Sequence, residues 1–411
     1  MRAGVMRQAG ATPFHQTDHS RLAGRTVLQI IPQLDAGGAE RTTIDVAAAL
    51  VDAGARALVA SEGGRLVPEL QAKGGLWLPF PAATKNPFSM LANVRRLAAL
   101  MQAEGVDLVH ARSRAPAWVA LGAARRLGLP FVTTYHGAYA GKSSFKLRYN
   151  SVMARGDAVI ANSDYTAGLI RGLYPQAEAR IRVIHRGTDF RRFTPEAVEP
   201  ERVRKLRQSW GAAPDERIVL LPGRLTGWKG QRVLIEAARL MRDRGLTGVL
   251  FALVGDPQGR AAYVKELEAQ IAAAKLEGVV RILPHCTDMP AAYMAAACVT
   301  VPSTEPEAFG RVAVEAQAVG VPVVVADLGA VPETVLAPPD VAPSEATGWR
   351  VPAGDPVALA KAVAEALTMG ATARDALSLR ARAHVRRNFS LEKMCGETLD
   401  VYERLLIPAT R

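Results

Sequence analysis

The chain has 411 residues, of which 49% are hydrophobic, 22% charged and 6% aromatic, the balance of a soluble globular protein with chain enough for two or three cores and no extensive disorder. Its formal net charge is +12, all of it carried by residues 1–192, while residues 193–411 balance; the first half is therefore suited to an anionic partner, either a membrane surface, a phosphorylated acceptor or nucleic acid, with an arginine-rich genome bias as the plain alternative. Three scattered cysteines, Cys286, Cys298 and Cys395, make neither a disulfide framework nor a zinc-ligand pattern, which points to a reducing cytoplasm and no metal site.

Residues 1–24 carry scattered charges and no apolar stretch of the signal-peptide kind, so a loose tail is expected there. Nowhere does an apolar run reach the ~18 residues of a membrane-spanning helix. An apolar run over residues 26–32 leads into Gly37-Gly38, and residues 39–53 follow with helical spacing: strand, glycine turn, helix. Further strands are expected over 56–60, 108–110, 131–135, 158–161 and 181–185, with helices over 94–104 and 116–127 between them. Alternation of this kind predicts an α/β fold with a parallel sheet covered on both faces.

Residues 189–216 are polar and hold Pro195, Pro200 and Pro214, as a domain junction would. A second series follows, with strands over 218–221, 249–254, 280–283, 299–301 and 321–326 and helices over 231–242, 261–274, 289–297 and 311–318. The reading is two Rossmann-like domains across a cleft: a tail over 1–24, a first domain over 25–195, a second over 196–390, and an amphipathic C-terminal helix over 391–411 returning to the first domain.

The most specific segment is Glu307-Ala308-Phe309-Gly310-Arg311-Val312-Ala313-Val314-Glu315. Gly310 permits a tight turn into a helix whose first N–H groups and dipole favour an anion, a diphosphate above all. Glu307 precedes that helix and Glu315 lies more than a turn inside it, so the two carboxylates reach different parts of an extended ligand. Upstream, Gly223-Arg224-Leu225-Thr226-Gly227-Trp228-Lys229-Gly230 joins a strand to a helix and sets a guanidinium and an ammonium five residues apart, suited to one diphosphate. An acidic pair at a helix start, or a surface pair of cations, is the bland alternative for each.

Through these motifs the chain resembles the retaining glycosyltransferases of family 4, of GT-B fold, from Gly37 to about Leu406. The resemblance implies transfer of a sugar from a nucleoside diphosphate sugar, UDP-linked first and GDP-linked second, to an acceptor hydroxyl, without a cofactor. Arg224 and Lys229 would neutralise the departing diphosphate, Glu307 would bind the donor sugar and Glu315 the ribose. Gly37, Gly38, Gly223, Phe309, Gly310, Arg311 and Val312 would complete the donor site. His136, at a strand end, matches the histidine near the donor sugar, and would bond the sugar or shape the pocket rather than titrate. Asn162-Ser163 matches an architectural landmark. The sequence departs from the family at Val183-Ile184-His185-Arg186-Gly187-Thr188-Asp189, where Arg186 stands in place of the usual Asn.

Lys142, Phe145, Lys146, Arg148 and Tyr149 mix basic and aromatic side chains, suited to an anionic acceptor or phospholipid headgroups, a solvated loop being the alternative. With Arg186 they are the expected acceptor side. No nucleic-acid motif accompanies them, and no Asp-x-Asp metal signature is present, so metal independence is expected. The expected acceptor is a bacterial envelope glycan or glycolipid, such as lipopolysaccharide core, reached from the cytoplasm at the inner face of the membrane. Two rivals stay open: another GT-B enzyme, such as a nucleotide-sugar epimerase, and a catalytically silent GT-B scaffold.

Overall fold

A computed structural model describes residues 20–35, 37–137 and 143–407. Two compact units share the chain. The first comprises residues 1–162, 167–187 and 392–411, the second residues 163–166 and 188–391.

The first unit is built on seven strands: β1 (Thr26–Ile30), β2 (Arg56–Ser61), β3 (Leu76–Pro79), β4 (Leu108–Ala111), β5 (Phe131–Tyr135), β6 (Ala158–Ala161) and β7 (Ile181–Val183). They run parallel in the order β3-β2-β1-β4-β5-β6-β7. The middle strands β1, β4, β5 and β6 are buried throughout, as parallel strands covered on both faces must be. Helices Pro87–Ala103 and Arg114–Leu127 cover one face, contributing Leu97, Met101, Ala120 and Ala124 to a core with Leu28, Val109 and Phe131.

The second unit holds β8 (Arg217–Pro222), β9 (Val249–Val254), β10 (Val280–Leu283), β11 (Cys298–Val301), β12 (Val323–Ala326) and β13 (Trp349–Val351), parallel in the order β10-β9-β8-β11-β12-β13. The period of two divides its side chains cleanly. Ile218 and Leu220 enter one core with Leu250 and Val299, whereas Val219 and Leu221 enter a second core with Phe251 and Val324 on the opposite face.

Each sheet reverses its order once, between β1 and β4 and between β8 and β11. Ligands of open α/β sheets bind outside the carboxyl ends of the strands at such a reversal. The loops that leave β8 and β11 are the segments 223–230 and 302–310, so the donor motifs share one crevice of the second unit.

Three expectations need correction. Residues 20–24 are not loose: Ser20–Leu22 forms a 3-10 turn and Leu22 is fully buried, because its side chain finds a place in the core; residues 1–19 lie outside the described residues. The polar stretch over 189–216 contains the helix Pro200–Ser209, none of whose residues is fully buried. Edge strands β3 and β13 were absent from the expected series, for reasons of exposure taken up below.

Candidate active site

The loop after β8 begins at Gly223, whose N–H donates to the Val254 carbonyl at 2.9 Å. Arg224 follows, exposed, and makes no ion pair with the described residues. Its main chain is held: the Gln231 carboxamide donates to the Arg224 carbonyl at 3.0 Å, and Tyr263 donates to Gln231 at 3.1 Å. A short 3-10 turn, Gly227–Lys229, leads to Gly230 at φ +77°, where helix Gln231–Asp243 starts. A Cβ on Gly230 would lie 1.9 Å from the Pro302 carbonyl oxygen, so a glycine here lets the two motif loops touch through their backbones. The Thr304 N–H donates to the Trp228 carbonyl at 2.8 Å across the same junction.

This contact brings Lys229 to Glu307. Lys229 Nζ lies 2.5 Å from Glu307 Oε1, with the two side chains only 15% and 12% exposed, and the ammonium sits 4.3 Å above the Trp228 ring centre. Ser303 Oγ donates to the same carboxylate oxygen at 2.7 Å. The Glu307 main chain is pinned as well, its carbonyl accepting from the Ala330 N–H at 2.9 Å. A cation and a carboxylate thus stand side by side, largely removed from water, while Arg224 on the same loop is exposed.

Gly310 adopts φ +87° and opens the helix Arg311–Ala318. Its first turn points N–H groups toward the loop, as any α-helix start does. Glu315, 6% exposed, accepts from the Tyr293 hydroxyl at 2.9 Å and from the Arg311 guanidinium at 2.8 Å. Burial, and then the neighbouring Glu315 carboxylate, hold the Tyr293 hydroxyl well above its usual pKa, so it stays a donor. The side chain of Phe309 is placed differently from expectation. It is 3% exposed and meets Phe389 edge to face at 5.4 Å, so only the Phe309 main chain can serve a ligand; the ring is core because an aromatic surface of that size is stabilised by burial. Val312 likewise packs on that core.

In the first unit, Gly37 and Gly38 lie at the start of the helix Gly38–Asp52, just after β1, at the sheet's own point of reversal. His136 follows β5. Its Nδ1 lies 3.2 Å from an Arg186 guanidinium nitrogen, which also donates to the His136 carbonyl at 3.1 Å. Burial first, then Arg186, Arg112 and His110, hold the His136 imidazole well below its usual pKa, so it is neutral at pH 7. Arg186 itself is 9% exposed, which removes it from an acceptor-facing surface; the shell around His136 claims it instead. Lys146 and Arg148 are exposed on the helix Ser144–Asn150, beside Phe145, while Lys142 lies outside the described residues.

Sequence reasoning noted Pro302-Ser303 only as a flank fitting the family pattern and gave Ser303 no role; Tyr293 it did not single out, since 22 positions separate it from its partner.

Comparison with known proteins bears on this site. A profile described as Glycosyltransferase Family 4 matches residues 36–192, and one for Glycosyl transferases group 1 matches residues 202–384. The chain is similar to the D-inositol 3-phosphate glycosyltransferase of Salinispora tropica, at 30% identity over 403 aligned residues that span 90% of this chain and 81% of that one. Among solved structures it is similar to a glycosyltransferase of Rickettsia africae, at 32% identity and a TM-score of 0.84, covering 94% of this chain and 100% of that one. It is also similar to Anabaena HepE in complex with UDP-glucose, at 28% identity and a TM-score of 0.78, covering 92% and 100%.

Proposed function

The chain belongs to the family 4 glycosyltransferases of GT-B fold, retaining enzymes that take a sugar from a nucleotide sugar, and from that premise we propose a UDP-hexose donor and an anionic envelope glycan or glycolipid acceptor. The observation that carries the donor half is the meeting of Lys229 with Glu307, on the loops that leave the second sheet at the point where it reverses, the first of which also carries the exposed Arg224. A diphosphate brought there meets two cations and a helix start, and a sugar meets a carboxylate already held in place by Ser303. UDP is preferred to GDP because a structural relative, Anabaena HepE, is described in complex with UDP-glucose.

In this reading Arg224, Lys229 and the N-terminus of helix Arg311–Ala318 stabilise charge that grows on the diphosphate as the glycosidic bond breaks. No carboxylate is assigned as a covalent nucleophile. The acceptor hydroxyl approaches on the face the diphosphate leaves, and a phosphate oxygen takes its proton, so catalysis is positioning plus electrostatics, with no metal required. Glu315 binds the ribose hydroxyls while Tyr293 and Arg311 keep it oriented.

The acceptor half rests on charge. The excess of basic residues in the first unit, including exposed Lys146 and Arg148, suits an acceptor bearing phosphate, in keeping with the phosphorylated acceptor in the name of the Salinispora relative. Phe145 beside them is 80% exposed, and on helix Pro87–Ala103 Phe88 and Leu91 are 85% and 70% exposed next to Arg95 and Arg96. Such mixtures suit an anionic membrane surface from which a lipid-linked acceptor is drawn.

Calorimetric titration with UDP, GDP and ADP, without added metal, tests the donor half. Micromolar binding of UDP that weakens in Glu315→Ala supports it; binding of none of the three removes the enzyme reading in favour of a silent scaffold.

A further inference from the structure

Position 186 is where the resemblance leads one to expect Asn, and Arg186 makes a contact that an Asn would not make in the same way. A carboxamide carries both a donor and an acceptor, so beside an imidazole it leaves the ring free to take either tautomer. A guanidinium only donates and keeps its proton at any physiological pH. One Arg186 nitrogen lies 3.2 Å from His136 Nδ1 and 3.1 Å from the His136 carbonyl oxygen. Nδ1 is therefore the acceptor of that bond, and the one proton of the neutral ring sits on Nε2. Nε2 is buried and has no hydrogen-bond partner among the described residues.

We propose that Arg186 is a positioning residue that locks His136 as the Nε2–H tautomer, so that the ring donates a hydrogen bond to an oxygen of the bound substrate. The proposal deepens the glycosyltransferase reading and rests on His136 facing substrate. The groups that face the imidazole are Arg186, Arg112 and His110, all of which, with burial, oppose its protonation. His110 is itself committed, Nδ1 to the Tyr402 hydroxyl at 2.6 Å and Nε2 to Thr134 at 2.7 Å. Arg112 is committed through Nε to Gln29 at 2.7 Å. Among the described residues the hydrogen bond to the His136 ring comes from Arg186, so Arg186 selects the tautomer. A ligand oxygen with lone pairs, a hydroxyl or a phosphoryl oxygen, is then favoured over a ligand group that can only donate.

The lock is tested on the full-length protein labelled with 15N-histidine, by two-bond nitrogen–proton correlation spectra between pH 5 and 8, with His136→Asn identifying the ring's signals. In the unsubstituted protein Nδ1 should be unprotonated and Nε2 protonated across that range. Arg186→Met should mix the tautomers and bring the ring's titration up toward the usual histidine value of about 6.5. Arg186→Lys, which keeps the charge and a donor, should restore the lock in part and guards against a variant that merely misfolds. A protonated Nδ1 in the unsubstituted protein, or a ring unchanged in Arg186→Met, overturns the proposal. In transfer kinetics Arg186→Met should lose about tenfold in kcat/KM at pH 7.5, the worth of one oriented hydrogen bond, and more at pH 6. Added to His136→Ala it should cost nothing further; losses that multiply would overturn the route through His136. Full activity in His136→Ala would overturn the substrate-facing premise, whereas the spectra read the lock independently of that premise.

Discussion

Glu315 and Glu307 are carboxylates of one motif, but their surroundings assign them different work. Glu315 is held by Tyr293 and Arg311, so its oxygens are oriented before any ligand arrives, and a ribose needs only to share them. Glu315→Gln should raise the dissociation constant for UDP about tenfold, and Tyr293→Phe by a smaller factor, since the hydroxyl orients without touching ligand. Isothermal calorimetry separates the two. Glu307 instead shares its oxygen with Lys229 and Ser303. Lys229→Met should lower kcat about a hundredfold or more with a smaller change in the donor KM, because the charge it opposes appears mainly in the transition state; steady-state transfer assays read the split.

Among the elements, the loops decide more than the helices they join. Gly230 holds φ +77° with the Pro302 carbonyl where a Cβ would sit, whereas Gly227, three residues earlier, has nothing within 4 Å and no positive φ. Gly230→Ala should therefore cost about 2 kcal/mol or more and separate Lys229 from Glu307, while Gly227→Ala should change the melting temperature little; thermal melts of the two variants make the comparison. The C-terminal helix Leu391–Leu406 enters the first unit through Tyr402, whose hydroxyl bonds His110. Tyr402→Phe should cost about 1–2 kcal/mol by leaving His110 Nδ1 unpaired. Elements that escaped the sequence share a physical cause. Strands β3 and β13 are edges with partly exposed residues, so they lack the unbroken apolar run that betrays β9. Helix Pro200–Ser209 packs Val203 and Leu206 on the core as its partly buried apolar residues, too few to stand out in a charged stretch.

For the whole molecule, charge and pH set the conditions of work. Basic residues dominate the first half, and with Phe88, Leu91 and Phe145 exposed the protein should float with vesicles of anionic lipid at low salt and be released as salt screens the attraction. No flotation at low ionic strength would remove the membrane part of the proposal. Stability should fall on the acid side. His110 and His136 are held neutral by burial and neighbouring cations, well below the usual range, while in the unfolded chain they take up protons near pH 6.5. The unfolded state thus binds more protons below that pH, and the melting temperature should drop steadily as pH falls from about 7 toward 5. A flat profile would show that the imidazoles titrate normally in the fold.

The sequence by itself determined the two parallel sheets, the helices between them and the segments 223–230 and 307–315, because apolar period, glycine turns and motif spacing are properties of neighbours along the chain. It also contained every candidate group, though not their company. Lys229 and Glu307 meet across 78 positions, His136 and Arg186 across 50, and Glu315 and Tyr293 across 22. No local pattern encodes these separations. Strand order decides them, since β8 lies beside β11 and so brings two distant loops to one edge, and burial decides the rest. It drew the Phe309 ring into the core and the Arg186 guanidinium onto a histidine, because both lower their free energy by leaving water only where a suitable partner is already in place.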